Sequence, residues 1–148
     1  MKKQIVVEIV CFLFILLFTY AAVAKLLEYQ KFVVQIGQSP LLTNYAGFLA
    51  WAVPAIELII AVALVITRFR QIALYAAFTL MVLFTAYIVA ILQLGKNIPC
   101  SCGGILDSMG WIEHLIFNSI YVVLGLIGIL LYSNEESSQK KEKKPSMV

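Results

Sequence analysis

Four long, uninterrupted apolar runs constrain this chain more than any other feature: residues 5–24, 48–66, 72–92 and 115–132. Each is long enough to cross roughly 30 Å of hydrocarbon, which takes about 20 helical residues. β-Branched residues are plentiful, yet the runs are too long and continuous for strands. In lipid every backbone amide must be bonded internally, so the runs read as helices. Composition agrees: 62% of the 148 residues are hydrophobic and 13% are charged, against about 45–50% and 25% in soluble domains. A water-soluble core of this size could not hide that much apolar surface. No internal repeat is evident. The expected fold is therefore all-α, a four-helix transmembrane bundle over residues 1–132.

The basic residues orient it. If all four runs span, Lys2, Lys3, Arg68, Arg70, Lys140, Lys141, Lys143 and Lys144 fall on one side, and Lys25, Lys31 and Lys96 on the other. The positive-inside rule then puts both termini and the tight turn at 67–71 in the cytoplasm. Loops 25–47 and 93–114 face outward. The first run also has features of a signal peptide, with Met1-Lys2-Lys3 before it and Ala22-Val23-Ala24 at its end. Its length exceeds the usual h-region of about 7–15 residues and it contains Glu8, so it is expected to stay as a helix. The segment 133–148 is polar and rich in Ser and Lys and is expected to be a disordered cytoplasmic tail. Its lysines could touch anionic headgroups, at about 1 kcal/mol per basic residue near the surface. The net charge of +3 resides in loops and termini and carries no argument for nucleic acid.

Chemistry concentrates in Pro99-Cys100-Ser101-Cys102-Gly103-Gly104, in the second outward loop. Two thiols one residue apart can open and close a disulfide, and the outer side permits one. The ring closed by such a bond is small and strained, and strained, exposed disulfides tend to be oxidising and labile. The thiolate is the reactive form, favoured by a cation or a helix N-terminus. Lys96, His114 and the start of the fourth helix near Gly110 supply both. Two other readings stay open. The pair could be a passive staple, or with His114 it could hold Cu(I), which favours thiolates. A closed zinc site wants a fourth ligand, for which only Asp107 or Glu113 is nearby in sequence. No metal is expected.

Within the spans, Glu57 stands out. It lies about nine residues from either end of its run, about 13 Å deep at 1.5 Å per residue. A charge at a helix centre costs on the order of 2.5–3.5 kcal/mol on insertion scales, so Glu57 should face the bundle, be protonated or be paired. It reads either as a proton or ligand handler or as interhelical glue. Pro54, one turn earlier, frees a backbone carbonyl. Lys25 ends the first helix after Ala21-Ala22-Val23-Ala24, small residues that let a neighbour approach. It either snorkels to the interface or pairs with Glu57 or a thiolate. His114 and Asn118 share a helix face, where His114 could deprotonate a thiol or simply be an interfacial polar residue. Glu8 is expected to snorkel, Cys11 to be a small buried apolar residue, and Trp51 and Trp111 to anchor at the interfaces.

The chain resembles the MauE/DoxX-like family of small bacterial redox-associated membrane proteins of the methylamine-utilisation MauE type. The matching stretches are Ala24-Lys25-Leu26, Pro54-Ala55-Ile56-Glu57-Leu58, and Pro99-Cys100-Ser101-Cys102-Gly103-Gly104 leading to Glu113-His114 and Asn118. Family members often show Phe-Gly after the second cysteine, where this chain has Gly103-Gly104. The resemblance implies a multi-pass protein of the bacterial inner membrane that supports disulfide formation or maturation of exported proteins. It implies thioredoxin-like or exported cysteine-containing partners on the outer face. Cys100, Cys102, His114 and Glu57 would act in thiol–disulfide exchange, with Lys25 and Asn118 handling a ligand or proton. A quinone could close the electron path, although no sequence feature specifies a quinone site. The rival classes are a non-enzymatic assembly protein with a structural disulfide, and a copper-handling membrane protein.

Overall fold

The computed structural model describes residues 2–39, 42–94 and 110–142. Five α-helices make up nearly all of it: α1 (Lys2–Leu27), α2 (Tyr29–Gly37), α3 (Ala46–Val65), α4 (Arg70–Leu94) and α5 (Trp111–Glu142). Helices α1, α3, α4 and α5 contain the four expected spans, each apolar and long enough to cross a membrane. The short α2 was not expected as an element. It lies in the connection between α1 and α3 and is followed by a 3-10 turn, Thr43–Tyr45.

The four long helices close into a bundle in which α1 and α4 each pack on both α3 and α5. Apolar residues cover every face of these helices, so amphipathicity does not select the inner one. On α1, Val7, Cys11, Phe14, Phe18 and Ala22 are buried at helical spacing, whereas Ile5, Ile9, Phe12, Leu16 and Val23 are exposed as a lipid-facing stripe. Volume and shape select the inner face instead. On α5, Gly125 and Gly128 open a slot: a Cβ on Gly125 would stand 3.3 Å from both Phe14 and Phe78, and one on Gly128 would stand 3.0 Å from Val10. With no hydrophobic effect between helices in lipid, such close approach is what holds them together. Phe14, Leu64, Leu74 and Met81 fill this closed half of the bundle.

Connections are short where the helices are adjacent. Between α3 and α4, Ile66 is extended, a 3-10 turn covers Thr67–Phe69, and Arg70 Nε donates to the Leu64 carbonyl at 3.4 Å, closing the end of α3. At the start of α5, the Gly110 N–H donates to Glu113 Oε2 at 3.0 Å and the His114 N–H to the Gly110 carbonyl at 3.0 Å. The carboxylate three residues into the helix thus satisfies a donor that the first turn leaves open.

The expected fourth span lies within α5; what differs is the segment after it, which was expected to be disordered from residue 133. Helix α5 continues to Glu142, so residues 133–142 are helical. Glu, Gln and Lys are good helix formers, and a helix already nucleated by its apolar span extends at little cost. Residues 143–148 lie outside the described residues, as do Lys96, Cys100, Cys102 and Asp107. Trp51 is exposed on α3, Glu8 is exposed on α1, and Cys11 is buried in the core.

The glycine slot generates a test. Gly128→Leu should drive a side chain into Val10 and separate α5 from α1, at a cost of about 1–3 kcal/mol, read as a lower apparent Tm in detergent. Gly47→Leu, where no described atom lies within 4 Å of the added Cβ, should not lower it.

Candidate functional site

The site begins with a charge that the sequence left between two readings. Lys25, near the C-terminal end of α1, turns inward rather than out to the interface. Its Nζ donates to Glu57 Oε1 of α3 at 2.7 Å, and the two side chains are 7% and 1% exposed. The ring of Phe32, from α2, has its centroid 5.9 Å from Nζ, and that of Phe84, from α4, 5.7 Å. Both lie within the range at which an aromatic face attracts a cation. Four helices therefore meet on one ammonium group.

Local sequence explains the arrangement. Ala22 of α1 and Ala50 of α3 are fully buried, which lets the two helices come close enough for a lysine to reach mid-helix. Pro54 leaves the Ala50 carbonyl without its usual helical donor one turn before Glu57. Helix α2 folds over this end of the bundle because Phe32 and Ile36, four apart on one face, pack against Ala46 and Ala50.

Beside the pair lies a cavity of about 400 Å³, within the range of about 300–1,000 Å³ typical of small-molecule sites. Its wall is almost wholly apolar, with Phe18, Leu49, Val53, Leu80, Phe84, Ile88 and Phe117 among its residues. The polar side chains that reach it are Lys25, Glu57, Tyr87, His114 and Asn118. His114 and Asn118 are buried, from the first two turns of α5. Of the Glu57 carboxylate, Oε1 holds Lys25, while Oε2 is buried with no hydrogen-bond partner among the described residues. Such an oxygen retains the capacity to accept a proton or a hydrogen bond from whatever enters the cavity.

Four of the six residues singled out by the sequence are thus brought together: Lys25, Glu57, His114 and Asn118. Cys100 and Cys102 lie outside the described residues. The cavity is built from the end of α1, the second half of α4 and the start of α5, so it occupies the end of the bundle where the chain leaves α4 and re-enters α5. The cysteine segment connects those two points. Among the described residues no cluster of three or more His, Cys, Asp or Glu side chains is gathered as a metal would need.

Sequence reading missed Phe32, Phe84 and Tyr87. The first carried a weak signal, since Phe32 and Ile36 repeat at helical spacing within a loop of mixed polarity. The other two did not, because α4 is apolar on every face and nothing in its pattern separates the cavity wall from the lipid-facing side.

Comparison with known families gives one match. The family model described as "Methylamine utilisation protein MauE" fits residues 3–131. No curated protein and no solved structure matches the chain.

Breaking a buried pair leaves an uncompensated charge, whereas replacing both partners by apolar residues does not. Lys25→Met should therefore cost about 3–5 kcal/mol in denaturant unfolding in detergent micelles, and Lys25→Met/Glu57→Leu should recover most of that loss. Additive effects of the two substitutions would contradict the coupling.

Proposed function

The chain belongs to the MauE family, and from that premise we propose that it is a membrane thiol–disulfide redox component supporting disulfide formation in exported proteins. Cys100 and Cys102 are its exchanging pair. The Cys100–Cys102 disulfide is attacked by a partner thiolate, giving a mixed disulfide. A second partner thiol then resolves it, leaving the partner oxidised and both cysteines as thiols. Two electrons and two protons pass from partner to pair, so the balance is closed within the exchange. His114 takes up or returns a thiol proton, and Glu57, held by Lys25, carries a proton within the outer half of the bundle. Asn118 orients what binds beside them.

The observation that carries this reading is the position of the polar cluster. In a bundle whose interior is otherwise apolar, Lys25, Glu57, His114 and Asn118 converge at the end from which the cysteine segment emerges. An ionisable residue inside a membrane bundle is expensive and is a functional candidate by default. The positive-inside count supports an outward orientation for that end, which is where thioredoxin-like or exported cysteine-containing proteins are met.

Cys100→Ser and Cys102→Ser variants, expressed separately, acid-quenched, alkylated and run on non-reducing gels, test the reading. One variant should accumulate a discrete, reductant-sensitive adduct, which names the partner and which of the two cysteines joins it in the mixed disulfide. No adduct with either variant, beside a wild-type pair that stays oxidised, would establish a structural staple. Stoichiometric copper on reduced wild-type protein, lost in both variants, would establish a metal carrier.

A further inference from the structure

The cavity beside Lys25 and Glu57 has hydrogen-bonding capacity of two opposite kinds left over. Glu57 Oε2 is buried and unpartnered among the described residues, so it requires a donor. Lys25 Nζ spends one N–H on Glu57 Oε1, and an ammonium carries three, so it also offers donors. A ligand that uses the whole site must therefore present an acceptor to Lys25 and a donor to Glu57, either together or in turn as one small head changes form. It must also be neutral. The lysine and the carboxylate already balance, and a phosphate or carboxylate head would bring its charge up against Glu57. Phe32 and Phe84, which face Nζ, suit a planar ring. The cavity extends to Leu83, which is 59% exposed on α4, so its rim meets the outer surface of the bundle.

We propose that this cavity is a binding site for a lipid-soluble quinone and its quinol. Such a head exchanges carbonyl for hydroxyl between its two forms while staying neutral in both. Lys25 donates to the carbonyl of the oxidised form, and Glu57 Oε2 accepts from the hydroxyl of the reduced form. A site tuned to one form alone would need only one of these groups. The choice of a quinone over another neutral ring rests on the redox reading above, and the presence of a pocket with this donor and acceptor pair does not.

Binding of decylubiquinone and its quinol to purified protein in lipid nanodiscs, followed by equilibrium titration, tests the proposal. Saturable one-to-one binding is expected. It should weaken at least tenfold in Val53→Trp, which fills the cavity, and in Lys25→Met/Glu57→Leu, which keeps the helices neutral and packed. A Cys100→Ser/Cys102→Ser double variant should bind as wild type does. Thiol trapping that fails while this binding persists would overturn the exchange function and leave the site standing. Trapping that succeeds with no saturable quinone binding, or with binding indifferent to both cavity variants, would overturn the site alone. Decanoate competing as strongly as decylubiquinone would also overturn it, since an anionic head would then satisfy the pocket.

Discussion

The bond between Lys25 and Glu57 is the interaction on which the cavity-bearing half of this protein depends. Two charges taken out of water and kept from lipid headgroups must satisfy each other, and the cost of separating them is large. That requirement fixes the depth of α1 against α3, because the lysine is near the end of one helix and the carboxylate near the middle of the other. It also explains why α2 folds back over the bundle. Without Phe32 above it and Phe84 beside it, the ammonium would be left to water or lipid rather than enclosed.

The bundle divides into two halves with different packing rules. Around Phe14, Leu64 and Leu74, the Gly125 and Gly128 slot brings α5 close to α1 and α4. Toward the other end, residues of α1, α3, α4 and α5 surround the cavity. The tight half acts as a clamp. It lets the open half keep an unfilled volume beside a buried charge pair without the helices closing in on it.

Much of this was legible in the residues. Membrane spans follow from the length and apolarity of the runs, because lipid admits no other backbone solution. Glu57 announces itself as a charge where charges are costly, and His114 with Asn118 by their shared face. Lys25 was readable only as far as two alternatives. A lysine near a helix end is compatible with snorkelling or with pairing, and the difference lies in whether a neighbouring helix brings a carboxylate within reach. Phe84 and Tyr87 were not legible, since on a uniformly apolar helix the pattern is silent about which face looks inward. Helix α2 was hidden by its shortness, and its two anchoring residues make sense only against the alanines of α3.

The continuation of α5 beyond its apolar span changes what the polar end of the chain can reach. From Asn134 to Glu142 the helix advances about 12 Å at 1.5 Å per residue, which exceeds the roughly 8 Å over which charges are felt at physiological salt. Lys140 and Lys141 therefore stand on a continuous helix, carried along its axis well beyond the last residue of the apolar span.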